Sequence, residues 1–190
     1  MAVGFVRFGG LCGVVGPVVA LVMVFWATAV SPWFSWETNA LSDLGVSEAA
    51  PIFNTALIIA GVLNFFFALA ARLSLPRSRI NAVGSVMLIL GGASLALVGI
   101  FTLDWPEIHR MVALGYFILF PVAMIILGAG LVAGGRPLYG SFTSVMGIAA
   151  LVAIFGTPSE GWAIPEILEA IVLSAWSVIT GARIMVRASL

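Results

Sequence analysis

Six apolar runs, at about residues 9–30, 51–73, 81–102, 110–133, 139–156 and 163–185, alternate with five short polar loops. At ~1.5 Å per residue, a helix over each run is long enough for a hydrocarbon core ~30 Å thick. The pattern predicts an all-α polytopic membrane protein. Its six transmembrane helices form one bundle, a single domain over residues 1–190. The first run has features of a signal peptide, with Arg7 before it and Ala27-Thr28-Ala29 at its end. It is longer than the roughly 7–15 residues of a signal-peptide apolar core, so we read it as a retained span.

Charge adds a direction. Seven of the eight arginines (Arg7, Arg72, Arg77, Arg79, Arg136, Arg183 and Arg187) fall on one side of a six-span chain. All eight carboxylates fall on the other: Glu37, Asp43, Glu48, Asp104, Glu107, Glu160, Glu166 and Glu169. The positive-inside rule then predicts a multi-pass protein of the cell membrane, with N-terminus in, C-terminus in and an acidic outer face. Trp33, Trp36, Trp105 and Trp162 fall at the outer boundary, as an aromatic belt requires. Arg110 is the one cation among the acids.

Composition agrees: 62% of residues are hydrophobic and 8% charged, with mean hydropathy +1.21. A soluble domain carries about 25% charged residues. Net charge is zero, which gives no sign of a nucleic-acid partner. One histidine and one cysteine, Cys12 inside an apolar run, exclude a three-histidine zinc site or a cysteine cluster. No phosphate-binding glycine loop or dinucleotide signature occurs, so no cofactor is expected. Gly9-x3-Gly13 and Gly130-x3-Gly134 permit close helix contact, within the bundle or in a homodimer through these Gly-rich faces.

Candidate chemistry gathers on the acidic side. Asn39, Ser42 and Asp43 in the first loop are turn and capping residue types, with Gly45 as a stop and Asn54 one turn inside span 2. Asp104, Glu107, His109 and Arg110 mark the junction of spans 3 and 4. The only histidine has a suitable intrinsic pKa for proton transfer, with Asp43 or Asp104 as an orienting carboxylate. In span 6, Pro165 and Glu166 suit a first helical turn. Glu169 lies a turn deeper, where an ionisable group is costly without a partner, and Arg110 is the expected one. Asn64, mid-membrane, is expected to hydrogen-bond Ser94, Ser174 or Ser177.

The stretch Asn39-Ala-Leu-Ser-Asp-Leu-Gly45 followed by Ile52-Phe53-Asn54 resembles the prokaryotic domain-of-unknown-function 998 integral membrane family. Gly99-Ile-Phe-Thr-Leu-Asp104 followed by His109 does so too, and the likeness covers about residues 10–185. It implies six spans. The Ser-Asp-x-Gly turn at Ser42, Asp43 and Gly45, with Phe53 and His109, is also similar to the DRAM-like family that includes the GPI-anchor lipid-remodelling protein. That likeness implies work on lipid of the outer leaflet. Three readings stand open. The first is a protein that binds or modifies membrane lipid, with His109, Asp43 and Asp104 as catalytic candidates and Arg110, Glu169, Asn39, Asn54 and Ser42 as ligand contacts. The second is a structural or regulatory protein acting through its outer loops. The third is a small transporter or channel.

Overall fold

The computed structural model describes residues 2–188. Six α-helices follow in order: α1 Ala2–Ala29, α2 Ala50–Ser74, α3 Arg79–Ile100, α4 Pro106–Ala133, α5 Pro137–Gly156 and α6 Ala163–Arg187. A 3-10 turn, Leu41–Val46, interrupts the first loop. All six helices are long and apolar enough to cross a membrane, and no strand occurs among the described residues. The all-α, six-span class read from hydropathy is therefore the observed one.

The helix starts follow local chemistry. Pro51, Pro106 and Pro137 occupy first turns, where a missing N–H costs nothing. The Ser78 hydroxyl accepts from the Asn81 amide at 3.1 Å and caps α3. Helix α4 stops at Gly134-Gly135, where φ is +78° at Gly135. Helix α1 begins at Ala2, well before its apolar run, because hydropathy marks lipid contact and not backbone hydrogen bonding.

Each helix packs on its neighbours in sequence, and α6 closes the ring against α1. Small residues set the close approaches. A Cβ on Gly10 would meet the Gly181 carbonyl oxygen of α6 at 2.9 Å, and one on Gly91 would meet Phe120 at 3.2 Å. Gly9 and Gly13 face Ala70 and Phe67 of α2, and Gly130 faces Asn81 of α3. These glycine faces are occupied inside the chain. A homodimer through them would have to displace α2 and α3.

The alternation of helices places all eight carboxylates at one end of the bundle and the seven arginines at the other. One apolar core, with Phe67, Leu88, Phe120, Met124 and Trp176, fills the bundle interior. A second, with Val24, Leu41, Leu44, Phe53, Ala163 and Ile167, lies at the carboxylate end.

Candidate functional site

The first loop is a built cap over the carboxylate end. Asp43 Oδ2 accepts from the Ala40 amide at 3.0 Å and from Asn39 Nδ2 at 2.9 Å, which fixes the 3-10 turn. Asn39 Oδ1 accepts from the Ser35 amide at 2.9 Å. The Asn39 carbonyl accepts from Trp162 and Ala163 at 3.0 and 2.9 Å, and Gly161 N–H donates to the Glu37 carbonyl at 2.7 Å. Glu166 Oε2 accepts from the Leu41 amide at 2.7 Å. The cap is thereby tied to the start of α6. Its far side is held by Asn54 Nδ2, which donates to the Gly45 carbonyl at 2.9 Å. A Cβ on Gly45 would meet Asn54 Oδ1 at 2.7 Å, so a larger residue here would have to displace the Asn54 side chain that holds the cap.

His109 is buried in the first turn of α4, with Nδ1 2.7 Å from the Phe101 carbonyl. A carbonyl only accepts, so Nδ1 carries the proton and Nε2 is the nitrogen left for other partners. The expected orienting carboxylates are elsewhere. Asp43 is bound in its own turn, and Asp104, exposed, accepts from Thr102 Oγ1 at 3.0 Å.

The expected Arg110–Glu169 pair does not form. Arg110 donates to Glu107 Oε2 at 2.6 Å, and both side chains are largely exposed. Three residues along one helix make the pair local, whereas a bond to Glu169 would carry a guanidinium into the bundle interior. Glu169 is 0% exposed, and neither carboxyl oxygen has a hydrogen-bond partner. Tyr116 and Glu166 lie within electrostatic reach of it. It sits about 9 Å along α6 from the helix start.

A cavity of about 110 Å³ runs along the bundle axis. Its carboxylate end is lined by Leu41 and Ser42 of the cap, His109 and Glu166. Deeper it meets Cys12, Asn64, Tyr116, Phe120, Ser174 and Ser177. Residues 109–120 of α4 and 166–177 of α6 line it, and each stretch rises about 16 Å. Of the polar residues singled out in the sequence, the structure brings Ser42, Asn64, His109, Glu166, Ser174 and Ser177 to this cavity. Asn39, Asp43 and Asn54 instead build the cap. Asp104 and Arg110 are on the exposed surface, and Glu169 is enclosed beside Tyr116.

Sequence reasoning missed one polar feature of the cavity and misjudged the partner of another. Pro17 and Pro121 interrupt α1 and α4. A proline has no N–H, so the carbonyls of Gly13 and Phe117, four residues earlier, lose their intrahelical donors. Both residues line the cavity. Asn64 lines it as well, and its Oδ1 has no partner, contrary to the expected bond to a serine. The signal was present in the sequence as prolines within apolar runs.

The family described as "protein of unknown function (DUF998)" matches this chain over residues 14–183. No curated protein and no solved structure matches it. The matched region begins within α1 and ends within α6, so it contains the cap and almost all of the cavity lining. With nine-tenths of its length matched, this six-helix membrane protein belongs to the DUF998 family.

Proposed function

We propose that the central cavity binds the hydrocarbon chain of a membrane lipid, with the lipid's polar end at Ser42, His109 and Glu166. The observation that carries this reading is the shape of the cavity. It is narrow, mostly apolar, and about as deep as one leaflet of a ~30 Å hydrocarbon core. Its volume of about 110 Å³, below the roughly 300 Å³ of ordinary small-molecule sites, excludes a bulky solute, and a full chain enters only as the lining side chains give way. The positive-inside rule, applied to the charge asymmetry, supports an outer-leaflet position for this end. The resemblance of the Ser42-Asp43-Leu44-Gly45 turn and His109 to the DRAM-like family points the same way. His109, with Nδ1 bonded to the Phe101 carbonyl, presents Nε2 as a hydrogen-bond partner for the lipid's polar end.

Cys12, the only thiol, lines the cavity and gives a direct test. Alkylation of Cys12 by N-ethylmaleimide is followed by mass spectrometry while lysophosphatidylcholine is added to protein in detergent. Occupancy slows the reaction, by about tenfold at ten times the Kd. Ala170→Trp, which fills the cavity beside Glu166, removes that protection. An alkylation rate that ignores excess lipid sinks the proposal.

A further inference from the structure

The opposite end of the bundle holds a second cavity, of about 370 Å³, between the starts of α1 and α5 and the ends of α2, α4 and α6. Arg136, Arg183 and Arg187 line it, and none of its lining residues is acidic. Among the described residues none of the three has a carboxylate partner, since the only ion pair found is Arg110–Glu107. The other four arginines of this end, Arg7, Arg72, Arg77 and Arg79, do not line the cavity. Clustering is therefore more than the general excess of positive charge at one membrane face.

The geometry around Arg183 is organised. Its guanidinium lies 4.1 Å from the centre of the Tyr139 ring. The Tyr139 hydroxyl is hydrogen-bonded to Thr180 Oγ1 at 2.7 Å, which fixes the ring beneath the guanidinium. Stacking on an aromatic face leaves the guanidinium's in-plane N–H groups available to a planar or tetrahedral oxyanion. Beyond the arginines the lining is mostly apolar, with Leu75, Leu127, Leu131 and Trp176, and Ser74, Tyr139, Thr143 and Thr180 add hydroxyl groups. Cations at the rim over an apolar floor match an amphiphile whose head is an anion.

We propose that this cavity is a binding site for an anionic phospholipid, its phosphate held by Arg136, Arg183 and Arg187 and its glycerol and upper chains against the apolar floor. Basic pockets between transmembrane helices on the cytoplasmic side are where acidic headgroups bind, and the charge rule assigns this end to that side. The site is independent of the central cavity and uses none of its residues named above.

The test titrates the full-length protein, in neutral detergent, with phosphatidylglycerol, phosphatidylcholine and glycerol phosphate, read by native mass spectrometry. Phosphatidylglycerol binds in preference to phosphatidylcholine by about tenfold or more. The R136Q/R183Q/R187Q variant loses that preference. The R7Q/R72Q/R77Q/R79Q variant removes more charge from the same end and keeps it. Equal loss in both variants would mean a diffuse basic surface and overturns the proposal. So does equal binding of the two lipids by the wild-type chain, a result that needs no variant to fold. Glycerol phosphate binding as tightly as phosphatidylglycerol overturns it in favour of a soluble phosphate ligand.

Discussion

The carboxylate end and the arginine end of this bundle spend their charges differently. At the carboxylate end, Asp43 and Glu166 accept backbone amides of the cap, and Glu107 pairs with the one local cation. What remains around the central cavity is narrow and mostly apolar. At the arginine end, three cations line a wider cavity without an acid among its lining. Helix dipoles do not explain the arrangement. Glu107 and Glu166 sit favourably in first turns, but Arg79 and Arg136 also stand at helix starts, where the dipole opposes them. The alternation of the six helices sets the end at which each charge falls. Local hydrogen bonding then decides which charges are left to meet a ligand.

Trp176 separates the two cavities and gives the largest expected effect. It lines the arginine cavity and packs edge-to-face on Phe120, which lines the central one; ring centres are 6.0 Å apart there and 5.7 Å apart on Phe67. Its indole N–H donates to Thr143 Oγ1 at 3.3 Å. Trp176→Ala should join the two voids and cost about 3–5 kcal/mol. Loss of helical circular dichroism during a thermal melt reports the destabilisation. A melt within about 1 °C of wild type would show that the partition between the ends is not part of the structural core.

Glu169 tests whether the carboxylate end carries a group kept for function. A fully buried carboxyl without a hydrogen-bond partner opposes folding, so Glu169→Leu should stabilise the bundle by about 1–3 kcal/mol. The same variant should weaken protection of Cys12 by lysophosphatidylcholine if Glu169 shapes the cavity through Tyr116. Gained stability with unchanged protection would separate Glu169 from the site and leave Ser42, His109 and Glu166 as its polar rim.

Asp43→Ala comes next. It removes the acceptor for the Ala40 amide and for Asn39 Nδ2, a loss of about 1–2 kcal/mol confined to the cap. Hydrogen exchange should rise across residues 39–46 and at the start of α6, and stay at wild-type level around Arg136 and Arg183. Exchange rising equally at both ends would show that the ends are coupled and the contrast between them is only chemical.

These residues also show how much the sequence disclosed. Six helices and the segregation of charge were legible because each rests on a long run or a sum over many positions. The cap was legible in part: Asn39, Asp43 and Gly45 read as turn residues, but the bonds of Asn39 to Trp162 and Ala163, and of Leu41 to Glu166, join segments more than a hundred residues apart. The arginine cavity was hidden because Arg136, Arg183 and Arg187 each read as an ordinary positive-inside mark. Their convergence depends on how α5 packs on α6. The expected Arg110–Glu169 pair rested on scarcity, the only nearby cation being matched with the acid most in need of one. Scarcity ignores distance, and Glu107 was one helical turn away.

Arg110 is the smallest effect and the sharpest contrast with the arginine cavity. Its pair with Glu107 is short, at 2.6 Å, but the side chains are 69% and 80% exposed. An exposed i,i+3 pair is worth about 0.2–0.5 kcal/mol, because water screens the attraction and two long side chains lose freedom to make it. Arg110→Gln should therefore shift the melt by less than about 1–2 °C, and 0.5 M salt should erase even that shift. Neither phosphatidylglycerol binding nor protection of Cys12 should change. A large loss of either would mean that the lone arginine of the carboxylate end reaches a ligand after all. The division between an end whose charges are used in structure and an end whose charges are free would then fail at that residue.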